Sequence, residues 1–372
     1  MMLKQKLPVN LLDLTPVQIK EFIKTVGGPV SAADRLLRYI YREYASEFSE
    51  MNDFSLELKQ KLAANASLGK LEPLEELGSS DAQTRKILFG LEDGSTIESA
   101  LMFFKNPGTG RERRTVCISS QVGCAVGCGF CATGRQGFVR NLTTGEIMAQ
   151  ILFFLRSFRA EMPQSEKGKQ RVWLTNVVFM GMGEPLANYD NVRQAITIMN
   201  SPKEMGLGFH QVTLSTAGLV PQIQKLAGEN LLFQLAVSLH AAGDELRNRL
   251  VPVNKKYPLA QLIRACKEYN NKTGRNIFIE YALFAGVNDS VKDAVELARM
   301  LSGLRCSINL IRGNPVSGSE FQPSSRETAL MFQKQLIGIG IRTMLRVSRG
   351  TDIAAGCGQL RSRWVDANSE GL

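Results

Sequence analysis

Six short apolar stretches, rich in β-branched residues, recur from residue 115 onward with helix-like segments between them. They span residues 115–119, 175–180, 211–215, 233–239, 277–283 and 306–311. Strands that alternate with helices in this way form parallel βα units with right-handed crossovers. Six units predict an α/β fold built on a partial (β/α)6 barrel, smaller and more open than the full eight-stranded barrel. Ligands are then expected at the carboxyl ends of the strands.

The first part of the chain follows a different pattern, in which helix-capping residues separate short amphipathic segments. Thr15, followed by a proline, predicts the start of a helix that ends at Gly27, and Ser31 opens the next helix. Ser55 is a candidate cap for a third helix. Residues 1–70 therefore predict a small helical accessory domain, whose basic and aromatic side chains suit RNA binding and internal packing equally well.

Three further regions follow the accessory domain. Residues 71–109 predict a β-hairpin and linker, because two strand-like runs flank Asp93-Gly94 and glycine supplies the positive φ of a tight turn. Residues 110–352 contain the βα units and predict the barrel. Residues 353–372 are a short tail that carries one cysteine in a glycine-rich context.

Three cysteines are spaced as Cys124-x3-Cys128-x2-Cys131. A closed structural zinc site has four protein ligands, and an electron-transfer iron–sulfur cluster usually has four thiolates. Three thiolates on one short loop therefore predict a [4Fe-4S] cluster with one iron left open for chemistry. The alternative is a zinc site that takes its fourth ligand from elsewhere, such as Cys117 or His240.

The charge balance favours a polyanionic partner, since 45 Lys and Arg residues against 35 Asp and Glu residues give a net charge of +10. Solvated surface loops are the alternative explanation. The candidates for phosphate contacts are residues 111–114, Arg135, Arg140, Arg247, Arg249, Lys255 and Lys256. The apolar runs are too short to span a bilayer, and the seven cysteines do not form the pattern of a secreted disulfide framework. The sequence thus predicts a cytoplasmic protein without membrane contact.

Polar residues fall at the predicted strand ends, where a ligand of the barrel is expected. After the second strand, Gly183 lets the backbone approach a ligand, and Glu184 supplies an anionic contact for an ammonium group. The ends of the third, fourth and sixth strands carry Ser215, Ser238, Leu239, His240 and Asn314. Each alone is commonly a cap or turn residue, but their convergence predicts one binding pocket.

Several longer motifs occur in order along the chain: CISSQVGCAVGCGFCATG, GMGEPLAN, VTLSTAG, VSLHA, RLVPVNKKYP, INLIRGNP and DIAAGCGQL. Together they resemble the radical-SAM RNA adenine-C2 methyltransferase family, where SAM is S-adenosyl-L-methionine, and the likeness covers nearly the whole chain. It implies a [4Fe-4S] cluster on the cysteine triplet, with SAM bound to the open iron and to the strand-end residues. Bound SAM would be cleaved to a 5'-deoxyadenosyl radical.

The resemblance also implies the substrates and partners. Members of the family methylate carbon 2 of an adenine in the peptidyl transferase centre of 23S ribosomal RNA (23S rRNA). Some members also modify the adenine that follows the anticodon of certain transfer RNAs (tRNA). A monomer is expected, with an electron donor such as flavodoxin or ferredoxin.

Carbon 2 of adenine is electron-poor and the methyl group of SAM is an electrophile, so direct polar transfer between them does not work. The resemblance implies a route in which Cys357 carries the methyl group, Cys117 later attacks its sulfur to leave a transient disulfide, and Glu98 takes the ring proton. Without the resemblance, both cysteines are interpreted as buried small hydrophobes and Glu98 as a solvent-facing strand carboxylate. Cys266 and Cys306 keep that packing interpretation.

Two other functions stay open at this point. A sister family methylates carbon 8 of the same ribosomal adenine and confers antibiotic resistance, although the segments SQVGC and NKKY resemble the carbon-2 branch more closely. In a different class of function, the chain is a non-catalytic RNA-binding protein that contains a structural zinc or a redox-sensing cluster.

Overall fold

A computed structural model shows an N-terminal helical part and one large mixed β-sheet. The structure describes residues 8–105, 108, 110, 112–161, 174–313, 319–346, 353, 356 and 358–369, with side chains of the last helix up to residue 365. In this described part of the chain, no helix is both long enough and apolar enough to cross a membrane.

A short pair of strands joins the beginning and the end of the N-terminal part. Its elements are β1 (Val9–Asn10), α1 (Pro16–Thr25), α2 (Ala32–Tyr41), α3 (Leu56–Asn65) and β2 (Ala66–Ser67), and β1 pairs in parallel with β2. A capping box between Thr15 and Gln18 starts α1, and the Ser55 hydroxyl accepts from the Leu58 N–H at the start of α3. The predicted caps at Thr15 and Ser55 are confirmed, whereas Ser31 precedes α2 without a capping bond from its side chain.

Polar contacts attach this part to the core. The Asp13 carboxylate accepts from the Gly145 N–H at 2.6 Å. The Arg156 guanidinium donates to the carbonyls of Ala45 and Leu68 at 2.9 and 3.0 Å. Desolvation by burial lowers the pKa of Arg156 to about 10, so it is still a cation at neutral pH. The N-terminal helices therefore have a defined position on the core.

Four strands in chain order form an antiparallel meander. They are β3 (Glu72–Gly78), β4 (Thr84–Gly90), β5 (Thr96–Lys105) and β6 (Glu112–Cys117). The predicted hairpin is the β4–β5 pair, and Gly94 in its turn has φ +79°. The sequence does not predict β3, because EPLEELG is acidic and contains a proline. This strand lies largely exposed at the edge of the sheet, where such residues discourage pairing with other chains.

Alternating strands and helices make up the rest of the chain. They are β7 (Gln121–Gly123), α4 (Ala132–Arg135), β8 (Phe138–Asn141), α5 (Thr144–Glu161), β9 (Asn176–Phe179), α6 (Tyr189–Asn200), β10 (Val212–Thr216), α7 (Val220–Leu226), β11 (Gln234–Ser238), α8 (Asp244–Leu250), α9 (Leu259–Thr273), β12 (Ile277–Leu283), α10 (Val291–Met300), β13 (Cys306–Arg312), α11 (Arg326–Gly338), β14 (Thr343–Arg346) and α12 (Gln359–Ser369). The antiparallel pair β7–β8 flanks the cysteine loop and is separate from the main sheet.

The parallel part of the sheet forms the predicted barrel. Strands β6, β9, β10, β11, β12, β13 and β14 lie side by side in this order, and every neighbouring pair is parallel. Among the described residues β14 does not pair with β6, so the barrel is open. The predicted partial barrel is confirmed. The sequence does not predict β14, because TMLR is short, half-exposed and ends in arginine.

Candidate active site

A cavity of about 310 Å³ lies at the carboxyl ends of the parallel strands, where the strand-end rule predicts a ligand. The loop after β9 borders it with Gly181, Gly183 and Glu184, and the ends of β10 and β11 border it with Ser215, Ser238 and His240. The three cysteines of the triplet close another side, and Gly356 and Gln359 of the C-terminal segment complete it. Residues from distant parts of the chain therefore meet at one place.

The cysteine triplet occupies the loop between β7 and α4. Burial raises the pKa of Cys124 to about 12, that of Cys128 well above its ordinary value, and that of Cys131 in the same direction. Gly134 allows the loop to fold tightly, since a Cβ there would lie 2.8 Å from the backbone nitrogen of Cys128. These thiols are protonated when no cation is near, and a bound metal would favour their thiolate forms.

The donor set fits a [4Fe-4S] cluster better than a single zinc ion. In such a cluster the cysteines bind different irons, so their thiols surround a volume and do not converge on one point. Within the described ranges, no three His, Cys, Asp or Glu side chains are arranged to hold one metal ion. Cys117 and His240, the candidates for a fourth zinc ligand, thus do not complete such a site with the triplet. Three thiols leave one iron of the cluster without a protein ligand.

Glu184 is a buried carboxylate on the cavity wall. Its Oε1 accepts from the Leu186 N–H at 2.9 Å and its Oε2 from the Ala217 N–H at 2.7 Å. Burial raises its pKa, and these hydrogen bonds oppose that shift. Gly183 has φ +99°, and a Cβ there would lie 2.5 Å from the side chain of Gln121. The close packing of this loop against β7 therefore requires glycine, whichever ligand binds.

The remaining strand-end residues differ in where they lie. Ser215 and Ser238 border the cavity, but the Leu239 side chain is in the hydrophobic core. The backbone N–H of Leu239 donates to the Glu280 carbonyl, and Leu239 is not among the residues that border the cavity. Asn314 lies outside the described residues.

His240 borders the cavity as a neutral imidazole. Its Nδ1 accepts from the Ala282 N–H at 2.9 Å, which ties the end of β11 to β12. Burial lowers its pKa to about 3, and the hydrogen-bond network assigns the ring proton to Nε2. The ring packs edge-on against Phe130 of the cysteine loop, and the backbone has φ +60°, which is rare for a residue other than glycine. His240 is therefore a rigid hydrogen-bond donor beside the cysteine loop.

Glu98 and Cys117 lie on adjacent strands of the meander. The Glu98 side chain is 3% exposed and pairs with Lys86 at 2.8 Å, so the solvent-facing interpretation of Glu98 is wrong. Burial raises the pKa of the Cys117 thiol to about 12, and Lys86 and Glu98 both act on it electrostatically. Cys357 lies outside the described residues. The structure thus brings the predicted base close to the predicted resolving thiol.

Two buried polar residues that hold the surroundings of the site together are not predicted from the sequence. Lys86 is the buried partner of Glu98, and its only local signal is a lysine inside an apolar strand. Gln150 of α5 accepts from the Ser119 N–H at 2.8 Å and from the Ser99 hydroxyl at 2.6 Å, holding β5 to the segment before the cysteine loop. A glutamine in an otherwise apolar helix face is a comparable signal.

The predicted phosphate contacts separate into buried and exposed residues. Arg247 is fully buried and donates to the carbonyls of Ala217, Ser238 and Leu239, so the prediction that it binds phosphate is wrong. Arg140 is engaged in ion pairs with Asp93 and Glu146. The exposed candidates are Arg113, Arg135, Arg249, Lys255 and Lys256, whereas Arg114 is half-buried and Arg111 lies outside the described residues. Arg249 also pairs with Glu320 at 3.4 Å, and both side chains of this pair are exposed. The helical pattern around Arg247 does not show that its guanidinium faces the strand ends and not the solvent.

Known proteins resemble this chain over nearly its whole length. Residues 118–298 match the radical SAM superfamily, and residues 9–68 match the ribosomal RNA large subunit methyltransferase N-terminal domain. The probable dual-specificity RNA methyltransferase RlmN of Moorella thermoacetica is 43% identical over 95% of this chain and 97% of its own length. The protein of the same name from Thermotoga neapolitana is 43% identical with the same coverage. The crystal structure of a radical SAM methyltransferase from Sphaerobacter thermophilus has a TM-score of 0.87 and 43% identity, and the match covers 95% of this chain and 99% of that one.

Proposed function

The chain belongs to the RlmN family of radical-SAM RNA methyltransferases, and from this premise we propose that it methylates carbon 2 of an adenine in 23S rRNA, at the peptidyl transferase centre. The adenine next to the anticodon of some tRNAs is the second substrate, in line with the dual specificity named for its relatives. The protein works in the cytoplasm as a monomer, and flavodoxin or ferredoxin supplies the electron.

The observation that carries this proposal is the meeting of the cysteine triplet and the strand ends at one cavity. We assign the [4Fe-4S] cluster to Cys124, Cys128 and Cys131. We assign SAM to Gly183, Glu184, Ser215, Ser238, Leu239, His240 and Asn314. When bound, the cluster and SAM supply a methyl group for substitution and a 5'-deoxyadenosyl radical. Glu184 provides negative charge for the SAM ammonium group, and the neutral His240 provides a donor without adding a positive charge.

Two residues of the meander release the product in this proposal. Once the RNA is joined to Cys357 through a methylene bridge, the ring gives up its unpaired electron to the electron carrier and Glu98 takes the proton from carbon 2, which restores the aromatic ring. The Cys117 thiol then gives up its proton, and its sulfur attacks the Cys357 sulfur. A sulfur–sulfur bond forms as the sulfur–carbon bond breaks, and its electron pair stays on the carbon, which takes a proton to become the methyl group. Burial holds Cys117 as a thiol until then, with its pKa raised to about 12.

The RNA must also present a single base to the cavity. An adenine within a helix has its edges covered, so it has to leave its stack before carbon 2 is accessible. Arg249 is exposed next to the cysteine loop, because the Gly129 N–H in that loop donates to the carbonyl of the adjacent Leu250. We assign phosphate contacts to the exposed Arg249, Lys255 and Lys256, and a phosphate would replace Glu320, 3.4 Å away, as the partner of Arg249.

Anaerobic turnover with reconstituted protein, SAM, a reductant and unmodified 23S rRNA tests the proposal by nucleoside mass spectrometry. We expect 2-methyladenosine, its loss in Cys357→Ala, and a stalled protein–RNA adduct in Cys117→Ala. Cys306→Ala is the matched control, because Cys306 begins β13 at the opposite end of the barrel. Formation of 8-methyladenosine would assign the chain to the sister reaction, and no methylated adenosine despite an intact cluster would refute the proposal.

A further inference from the structure

Lys86 of β4 is a buried lysine whose ammonium group contacts two distant parts of the chain. Its side chain is 2% exposed. Nζ lies 2.8 Å from Oε2 of Glu98 and donates to the Gly356 carbonyl at 2.7 Å. Because removing an ammonium group from water is costly even when it is paired, a lysine in this place indicates a specific task.

The strand register places Lys86 in line with the proposed resolving thiol. Lys86 pairs with Ala100 across β4 and β5, and Ala100 pairs with Cys117 across β5 and β6. Directly paired residues of antiparallel strands share a face, so these three side chains form one row. Glu98, two residues before Ala100 on the same strand, lies on that face as well. The small Ala100 leaves no bulky group between the ammonium and the thiol.

Glu98 in turn holds the start of α12. Its Oε2 accepts from the Gly358 N–H at 2.8 Å, and its Oε1 accepts from the Arg361 N–H at 2.5 Å. The first N–H groups of a helix have no intrahelical partners, and a carboxylate both satisfies them and stabilises the helix dipole. Arg361 Nε also donates to the Thr96 hydroxyl at 3.0 Å, and Gln136 donates to the Gly358 carbonyl at 2.9 Å. The meander and the end of α4 thus form a dock for the C-terminal helix.

We propose that Lys86 is a positioning residue of the methyltransfer reaction. It binds Gly356 directly and Gly358 through Glu98, and these are the two chain neighbours of Cys357. Both are thereby held against the face of the sheet that carries Cys117. The catalytic consequence rests on the proposed function, whereas the dock is a property of the folded chain. A neutral side chain at position 86 leaves Glu98 with an unbalanced charge and the Gly356 carbonyl without this donor.

Hydrogen exchange of the full-length holoprotein tests the dock without RNA. In Lys86→Met, the amides of residues 358–361 are expected to exchange about tenfold faster, because the carboxylate that accepts two of them loses its counter-ion. Arg85→Met is the matched control, since Arg85 precedes Lys86 on β4 but pairs with Glu76 on the neighbouring edge strand. Unchanged exchange at residues 358–361 in Lys86→Met overturns the proposal. Equal acceleration over residues 84–90 also overturns it, since the lysine would then only hold the hairpin together.

Single-turnover RNA methylation tests the catalytic consequence. Lys86→Met is expected to lower the rate constant at saturating RNA by about tenfold or more, with the half-saturating RNA concentration and the iron content unchanged. Lys86→Arg keeps the positive charge and restores part of the rate, and Arg85→Met keeps the full rate. A loss confined to RNA affinity, or a Lys86→Arg variant as slow as Lys86→Met, contradicts the positioning role.

A second variant covers the case in which Lys86→Met does not fold. The double variant Lys86→Met/Glu98→Gln buries no unpaired charge, so it replaces the single variant in the exchange experiment. Exchange at residues 358–361 is expected to be faster in the double variant than in Glu98→Gln alone, which keeps the lysine, and equal exchange in the two variants overturns the proposal. A wild-type protein that forms no methyladenosine refutes the proposed function, while the exchange comparison still decides whether the dock exists.

Discussion

The cavity at the strand ends and the meander beside it hold their functional side chains in different ways. At the cavity, Glu184 and His240 follow strands and are fixed by backbone N–H groups of neighbouring strand ends. In the meander, Lys86 and Glu98 lie within strands and are fixed by each other and by the C-terminal segment. Loops at strand ends can vary without changing the sheet, whereas a pair within strands depends on the register of the whole meander. Substitutions in the two regions are therefore expected to have separate effects, on ligand binding at the strand ends and on stability in the meander.

Removing a thiol from the cavity is the strongest test of this separation. Cys128→Ala is expected to abolish RNA methylation and the iron–sulfur absorption of anaerobically purified protein, because two thiols cannot hold the cluster as three do. Glu98→Gln is expected to lose methylation but to keep its iron, since Glu98 lies outside the triplet. Iron analysis and absorption spectra of both variants provide the measurement. Equal loss of iron in Glu98→Gln would show that the two regions are one unit.

The free energy of unfolding is expected to distinguish a buried ion pair of the meander from an exposed one. Glu98→Gln is expected to lower the free energy of unfolding by about 3 kcal/mol, because it leaves the Lys86 ammonium buried without its counter-charge. Arg85→Ala breaks the partly exposed Arg85–Glu76 pair on the same hairpin and is expected to cost only about 0.5 kcal/mol. Urea unfolding of both variants at pH 7 measures the difference. Similar losses would contradict the distinction.

The pH dependence of stability tests whether His240, which borders the cavity, is neutral in the folded protein. Its folded pKa of about 3 lies below the value of roughly 6.5 expected in the unfolded chain. Below pH 6.5 the unfolded chain therefore binds a proton that the folded chain does not, and this contribution to stability is lost as the pH falls toward 3. Between pH 7 and pH 5 the loss is about 2 kcal/mol.

His240→Gln is the matched variant for this measurement, because its amide oxygen can still accept from the Ala282 N–H. Urea unfolding at pH 7 and pH 5 should show that the variant loses about 2 kcal/mol less than the wild-type protein over this interval. The same pH dependence in both proteins would mean that the imidazole is protonated in the folded state.

The smallest effect is expected for the exposed Arg249. Arg249→Ala should reduce the slope of log affinity for RNA against log salt concentration by about 1, because one phosphate contact is lost. Arg85→Ala, which also removes one positive charge but lies on the meander, should leave the slope unchanged. Binding titrations over a range of salt concentrations compare the two variants. An equal change in both would indicate a general effect of net charge.

Local rules in the sequence explain the strand-end part of the site. The alternation of strands and helices predicts the parallel strands, and their carboxyl ends bring Ser215 and Ser238 to the cavity. The same rules do not reach β14, whose four residues carry too little pattern, or Lys86, whose partner Gly356 is 270 residues away. Arg247 is missed because its carbonyl partners Ala217, Ser238 and Leu239 lie at the ends of β10 and β11, and the packing of α8 onto those ends is not visible in a local pattern. Contacts between elements depend on strand register and on how helices pack on the sheet. The periodicity of hydrophobic residues carries no information about either.

The buried guanidinium of Arg247 has a mechanical consequence. It connects the carbonyl of Ala217, at the end of β10, to that of Ser238, at the end of β11. The N–H of the same Ala217 donates to Glu184, so a single residue links the carboxylate to the arginine. A ligand that displaces Glu184 is therefore expected to shift the end of β11 as well, because covalent and hydrogen bonds connect the two. The ends of β9, β10 and β11 are therefore joined by one continuous path of covalent and hydrogen bonds.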